Sequence, residues 1–249
     1  MFPNRISIIS QPETSFNNTQ SLTLDGTGDY VDFLDLDIVG GADGEGDYSV
    51  SAWFKTSTED ANMVVVSKGN TPRWHMYIQG SGGNANKMHF EHYIDGSNNA
   101  QAISNSASAT QDGNWHHCLV TAQRDGNLIM YINGTAQTTS PSIASLTSDI
   151  NQASTKLVVG TYSKSVGSKP WNGQIDEVAI WDAVLSAADA TAIYNSGKPN
   201  DLTKSASYAT DRTGELVAYW RFEGDYTDSS DNSNSGTAVA DATFSTDVP

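Results

Sequence analysis

Positive charge is scarce in this chain. Lysine and arginine total 13 against 29 aspartates and glutamates, a formal net charge of −16 over 249 residues. A surface this acidic repels phosphate backbones and anionic lipid, which argues against nucleic-acid and membrane-surface roles. Cysteine is nearly absent: Cys118 is the single thiol, so there is no internal disulfide and no cysteine-based zinc cluster. It lies in the apolar run Cys118-Leu119-Val120, the setting of a small buried side chain rather than a nucleophile. No apolar run nears the roughly 18–20 residues that span a bilayer. Glycine and proline, at 21 and 7, are close to average usage, which excludes collagen-like and low-complexity chains. Residues 1–15 carry no apolar core of the secretory-signal kind.

What is present is aromatic and β-like. Six tryptophans, ten tyrosines and seven phenylalanines are enough to build a sizeable core. Short runs rich in β-formers recur at 21–25, 29–33, 48–55, 63–68, 73–79, 87–94, 115–123, 127–133, 156–160, 173–182 and 215–222, bounded by Gly, Asn and Asp. Alternation is clearest from Tyr48 to Phe54 and from Asn127 to Ile132. The Asp125-Gly126 turn between two runs predicts a hairpin, and Asn133-Gly134 marks the next turn. About eleven strands at short spacing predict an all-β, two-sheet sandwich.

Only one segment reads as a helix. Ser186 offers an N-cap with Asp189 three residues on, Ala187 to Tyr194 supply good formers, and Gly197 and Pro199 stop it. Residues 40–47, 80–86, 98–112 and 225–236 read as loops. Residues 1–20 read as an N-terminal arm outside a domain spanning 21–249, with 5–10 an edge strand or a homo-oligomer contact.

Several motifs now agree in order. Ser21-Leu22-Thr23-Leu24-Asp25-Gly26, Asp29-Tyr30-Val31, Tyr48 to Lys55, Asn114-Trp115-His116-His117, Tyr131-Ile132-Asn133-Gly134 and Trp171 to Trp181 with Leu185-Ser186 resemble LamG-like (concanavalin A-like) jelly-roll domains over residues 20–197. The resemblance implies a two-sheet antiparallel jelly roll with one short helix, serving glycan or surface recognition. Residues 213–249, with Leu216 to Glu223 and the Asp228 to Gly236 loop, resemble the strand and loop that normally open such domains. Supplied here at the end, they imply a circular permutation, and the arrangement is similar to virion proteins of marine bacteriophage. A protein leaving the cell by lysis within a particle would need no secretory signal.

Three site questions follow. Glycosidases of this fold work with paired acids, and the nearest stretch is Gln174-Ile175-Asp176-Glu177-Val178. Adjacent residues on a regular strand point to opposite faces, so Asp176 and Glu177 are not expected to pair, and no catalytic residue is assigned. The second question is metal. The resemblance implies a structural Ca²⁺ held by Asp25, Asp29 and Asp176, with backbone around 26–29; the bland alternative is a simple Asp-Gly turn. The runs 157–160 and 180–186 also look like pentraxin strands, but Thr161-Tyr162-Ser163-Lys164 stands where the pentraxin acidic run would be, so the pentraxin double-calcium site is not supported. The third question is a glycan surface. Period two sends Trp74, Met76, Ile78, Met88 and Phe90 inward and leaves His75, Tyr77, His89, Glu91 and Tyr93 as an exposed patch, whose alternative reading is ordinary cross-strand pairing. Trp53, Trp115, Trp181 and Trp220 read as core.

The expectation is a non-catalytic, surface-displayed module on a virion, extracellular once released. Its partners would be cell-surface glycans and other virion proteins, with no nucleic acid and no membrane. A purely structural virion protein and a glycan-degrading enzyme are the alternatives.

Overall fold

The alternating runs become strands because each can bury one face while the ladder satisfies its backbone groups. The computed structural model describes residues 16–41, 44–107, 109–151 and 154–249; the stretch 5–10 lies outside them. In chain order the strands are β1 (Ser21–Asp25), β2 (Tyr30–Asp32), β3 (Tyr48–Lys55), β4 (Met63–Gly69), β5 (Arg73–Gln79), β6 (Lys87–Tyr93), β7 (Asn99–Ile103), β8 (Trp115–Ala122), β9 (Leu128–Ile132), β10 (Thr135–Ala136), β11 (Leu157–Val159), β12 (Asn172–Trp181), β13 (Leu216–Trp220), β14 (Thr237–Val239) and β15 (Thr243–Ser245). The one α-helix among the described residues, α1, is Ala187–Tyr194.

These strands form a two-sheet antiparallel jelly roll. The first sheet runs β10-β9-β8-β3-β12-β1-β15, with β13 also on β12; the second runs β14-β2-β11-β4-β5-β6-β7. Between them lies the main core, including Leu22, Val50, Phe54, Trp74, Met76, Phe90, Val120, Ile175 and Trp220. Each large apolar side chain buried there contributes roughly 1.5–3 kcal/mol relative to exposure. A second cluster, including Leu119, Trp181, Leu185, Ile193, Tyr208 and Tyr219, covers part of the back of the first sheet beneath α1. Trp53 is also buried on that back face, 5.7 Å from the ring of Tyr194. Trp115 departs from the expected core placement. It starts β8, is only half-buried, and donates its Nε1–H to Asp247 Oδ1 at 3.0 Å.

Two other differences have local causes. The segment read as a loop at 98–112 contains β7, whose inward positions Ala100 and Ala102 are too small to signal a strand. The helix stops at Asn195, not Gly197: Asn195 adopts φ 45° and its N–H bonds to Thr191 O. Asparagine tolerates this left-handed conformation. The expected N-terminal cap is present, with Ser186 Oγ accepting from Asp189 N at 3.1 Å and Asp189 Oδ2 accepting from Ser186 N at 3.0 Å.

Asp176 and Glu177 do not separate to opposite faces as alternation predicts. Strand β12 pairs with β1 along Asn172 to Ile175 and with β13 from Val178 onward. At this handover the register against β3 shifts, and Glu177 takes φ 49°. The bulge sends Ile175 and Val178 into the core, so both carboxyl side chains project from the back of the sheet. A regular strand would have separated them.

Candidate functional site

Strands β5 and β6 pair Arg73 with Tyr93, His75 with Glu91 and Tyr77 with His89. All five residues expected in a patch therefore share the outer face of the second sheet, joined by Gln101 of β7 opposite Glu91. Glu91 is the hub. Arg73 Nε and Nη2 both reach Glu91 Oε2, at 3.0 and 2.9 Å, and Gln101 Nε2 donates to Oε1 at 2.9 Å. The Arg73 guanidinium also lies 3.4 Å over the Tyr93 ring.

Exposure is where the expectation fails. His75, Tyr77, His89 and Glu91 are buried, and only Tyr93 keeps substantial contact with solvent. The cover comes partly from residues 161–169. Tyr162 packs its ring 5.1 Å from His75, and the Lys169 ammonium sits 4.4 Å over Tyr162 and 5.6 Å over Tyr77. Burial, with the nearby Lys169 and Arg73 cations, holds His75 well below the usual imidazole range; burial likewise lowers His89. Both are neutral at pH 7, so the 3.5 Å approach of His75 Nδ1 to Glu91 is not an ion pair. Their Nδ1 atoms are buried without a hydrogen-bond partner. The patch is a buried polar floor with Arg73, Tyr93, Gln101, Tyr162 and Lys169 as its partly exposed rim. Sequence reasoning missed Tyr162 and Lys169 because only folding brings their loop over this sheet.

The acidic site forms where the chain crosses between the sheets. The β1–β2 turn and the β14–β15 connection both cross there, since β15 pairs with β1 and β14 with β2. This brings one carboxylate oxygen each of Asp25, Asp29 and Asp241 within 4.8 Å of one another. Asp25 Oδ1 accepts from Thr27 Oγ1 and Thr27 N, which lower its pKa. Asp29 Oδ2 accepts from Asp25 N at 3.2 Å, while Asp29 Oδ1 is buried with no partner. Burial raises the Asp29 pKa, and the neighbouring Asp241 and Asp25 add to it. Three carboxylates, one of them carrying a buried oxygen without a partner, are the hard donors that a cation of the Ca²⁺ kind takes.

Asp176 does not belong to this cluster. Strand β1 pairs Asp25 with Asn172, and four further residues at ~3.3 Å each carry Asp176 about 13 Å along β12. Asp241 takes the place that sequence reasoning gave to Asp176. No local pattern marks Asp241, because its approach depends on where the last two strands pair.

Asp176 and Glu177 instead lie buried beneath residues 16–20. Asn18 Nδ2 donates to Asp176 Oδ2 at 3.0 Å, and Tyr219 donates its hydroxyl to Glu177. Arg221 Nε lies 3.4 Å from Glu177 Oε1 and its Nη2 donates to Asn17 O at 2.7 Å. Thr19 N closes the segment down on Glu223 at 2.8 Å. Burial raises both acids well above the usual carboxylate range, and their mutual repulsion adds to Glu177.

Fold and sequence together define the class. Residues 25–191 match the Laminin_G_3 family model, described as the concanavalin A-like lectin/glucanases superfamily, and the chain belongs to that family. Among solved structures it is similar to a putative carbohydrate binding protein from Bacteroides ovatus, at 13% identity and a TM-score of 0.62. That match covers 92% of this chain and 60% of the other, so the chain spans less than two thirds of that protein. It is also similar to a heptameric SAP-like pentraxin from Limulus polyphemus, at 13% identity and a TM-score of 0.57, covering 91% and 94% of the two chains. No curated protein matches the chain.

Proposed function

We propose that this chain is a non-catalytic glycan-binding module whose recognition face is the outer face of the second sheet. The observation that carries the reading is the rim of Arg73, Tyr93, Gln101, Tyr162 and Lys169 over a rigid floor of His75, Tyr77, His89 and Glu91. Ring edges and oriented donors around a preorganised floor are what a sugar hydroxyl array requires. The family and the likeness to a putative carbohydrate binding protein support the same reading. Asp176 and Glu177 are held away from substrate: both are buried, and both are engaged by neighbouring side chains.

The Asp25, Asp29 and Asp241 cluster would hold a structural Ca²⁺, pinning the two crossings together. The finer part of the proposal is display on a virion surface, beside other virion proteins, with weak contacts multiplied by copy number. It rests on the sequence resemblance, and the homo-oligomer contact through the arm rests on the sequence reading of residues 5–10.

Glycan-array binding with Tyr93→Ala and Gln101→Ala variants tests the reading. Loss of binding in variants that melt like the parent supports it. A folded parent protein that binds no glycan rejects it, and the structural alternative then stands. Immunogold labelling of released particles checks the display.

A further inference from the structure

The rim of the recognition face holds cations where a neutral-sugar platform would offer bare rings. Arg73 covers one face of Tyr93, and Lys169 lies over Tyr162 and Tyr77. An aromatic face already occupied by a cation is lost for stacking on a pyranose, while the cation's outward N–H groups remain available.

Local charge runs against the whole molecule. The charged groups acting on His75, His89 and Lys169 include Arg73, Lys87, Lys164 and Lys169. These are four of the chain's 13 cations, and the acid acting on His89 and Lys169 is Glu91. Glu91 is already committed to Arg73 and Gln101. Lys169 enters none of the ion pairs among the described residues. It is half-buried and held at φ 52°, with its carbonyl accepting from Val64 N at 3.1 Å. A non-glycine residue kept in this region by its surroundings is the kind of local strain found at ligand sites.

We infer that the ligand is an acidic glycan, and that Lys169, seated on Tyr162 and Tyr77, receives its sulfate or carboxylate group. The inference rests on the glycan-binding reading above and narrows it to one class of sugar. Both anions present the same chemistry to an ammonium, namely charged oxygen acceptors.

The test titrates the protein with three oligosaccharide series of matched length. These are neutral agaro-oligosaccharides, sulfated carrageenan oligosaccharides, and oligogalacturonides that carry only carboxylates. At least one acidic series should bind about tenfold or more tightly than the neutral one, the usual weight of one charge-assisted hydrogen bond. Lys169→Met should remove that advantage, Lys169→Arg should restore it, and neither should move the melting temperature. Tyr162→Leu, which takes away the ring beneath the ammonium, should weaken acidic binding in the same direction. Which acidic series binds separates sulfate from carboxylate. Equal binding of neutral and acidic series, or an acidic preference indifferent to Lys169→Met, overturns the inference and leaves the glycan reading intact. Failure of all three series and of the array removes the glycan reading itself, and the inference falls with it.

Discussion

A carboxyl or imidazole group that loses its water keeps its neutral form, and here the two kinds set opposite pH slopes. His117 is buried with both ring nitrogens unpartnered, and burial lowers its pKa from 6.5 to about 3. His92, bonded to the Tyr48 hydroxyl, is also lowered to about 3. Below pH 6.5 the unfolded chain binds these protons and the folded one does not, so stability falls as pH drops toward about 3. Glu177 is raised well above 4.5, so there the folded state holds the extra proton. Its contribution is full below the unfolded value and is lost as pH rises through the folded one. Urea titrations across pH should show His117→Phe flattening the acid limb at little cost near neutrality. Glu177→Gln should flatten the alkaline limb. Unchanged slopes in both variants would show that these groups titrate alike in both states.

At the scale of the element, α1 depends more on one buried acid than on its cap residue. Asp189 is buried and accepts from Ser186 N, Ser186 Oγ, Ala209 N and Thr210 N, with Arg212 at 3.5 Å. Ser186→Ala should therefore cost about 1 kcal/mol, the usual loss of one N-cap. Asp189→Ala removes a buried carboxylate that accepts four hydrogen bonds and should cost about 3 kcal/mol. Thermal melts check the order, at about 2–4 °C per kcal/mol for a domain of this size. Equal losses would mean that Asp189 acts only as the capping-box partner. Strand β12 shows the same dependence on context. Gly173 has φ 136°, and a Cβ there would lie 2.1 Å from Lys55 O, so β3 and β12 approach only because the residue is glycine.

For the whole molecule, the question is how the two sheets are held at their crossings. The main core supplies most of the attraction, but Asp25, Asp29 and Asp241 repel one another in the absence of a cation. Calcium bound only by the folded state should stabilise it by about 2.7 kcal/mol at a hundredfold excess over Kd. That corresponds to a melting shift of about 5–10 °C between EDTA and Ca²⁺. Asp29→Asn should abolish the shift, whereas Asp176→Asn should leave it. A shift insensitive to Asp29 would place the cation elsewhere.

What the sequence determined by itself follows from local periodicity. Trp74, Met76, Ile78, Met88 and Phe90 turned inward as period two requires, and Ser186 with Asp189 capped the helix because three residues' separation suffices for both bonds. The sharing of one face by His75, Tyr77, His89, Glu91 and Tyr93 was legible for the same reason. Tertiary structure decided whatever depends on which strands meet. Asp241 joined Asp25 and Asp29 because the final strands pair at the edges of both sheets. Asp176 and Glu177 came to share a face because they lie in the bulge where β12 passes from β1, at Ile175, to β13, at Val178. Tyr162 and Lys169 closed over His75 and Tyr77, helping to bury side chains that alternation alone leaves exposed. Alternation fixes which side of its own strand a residue faces, but burial and charge at a site are set by neighbours distant in the chain.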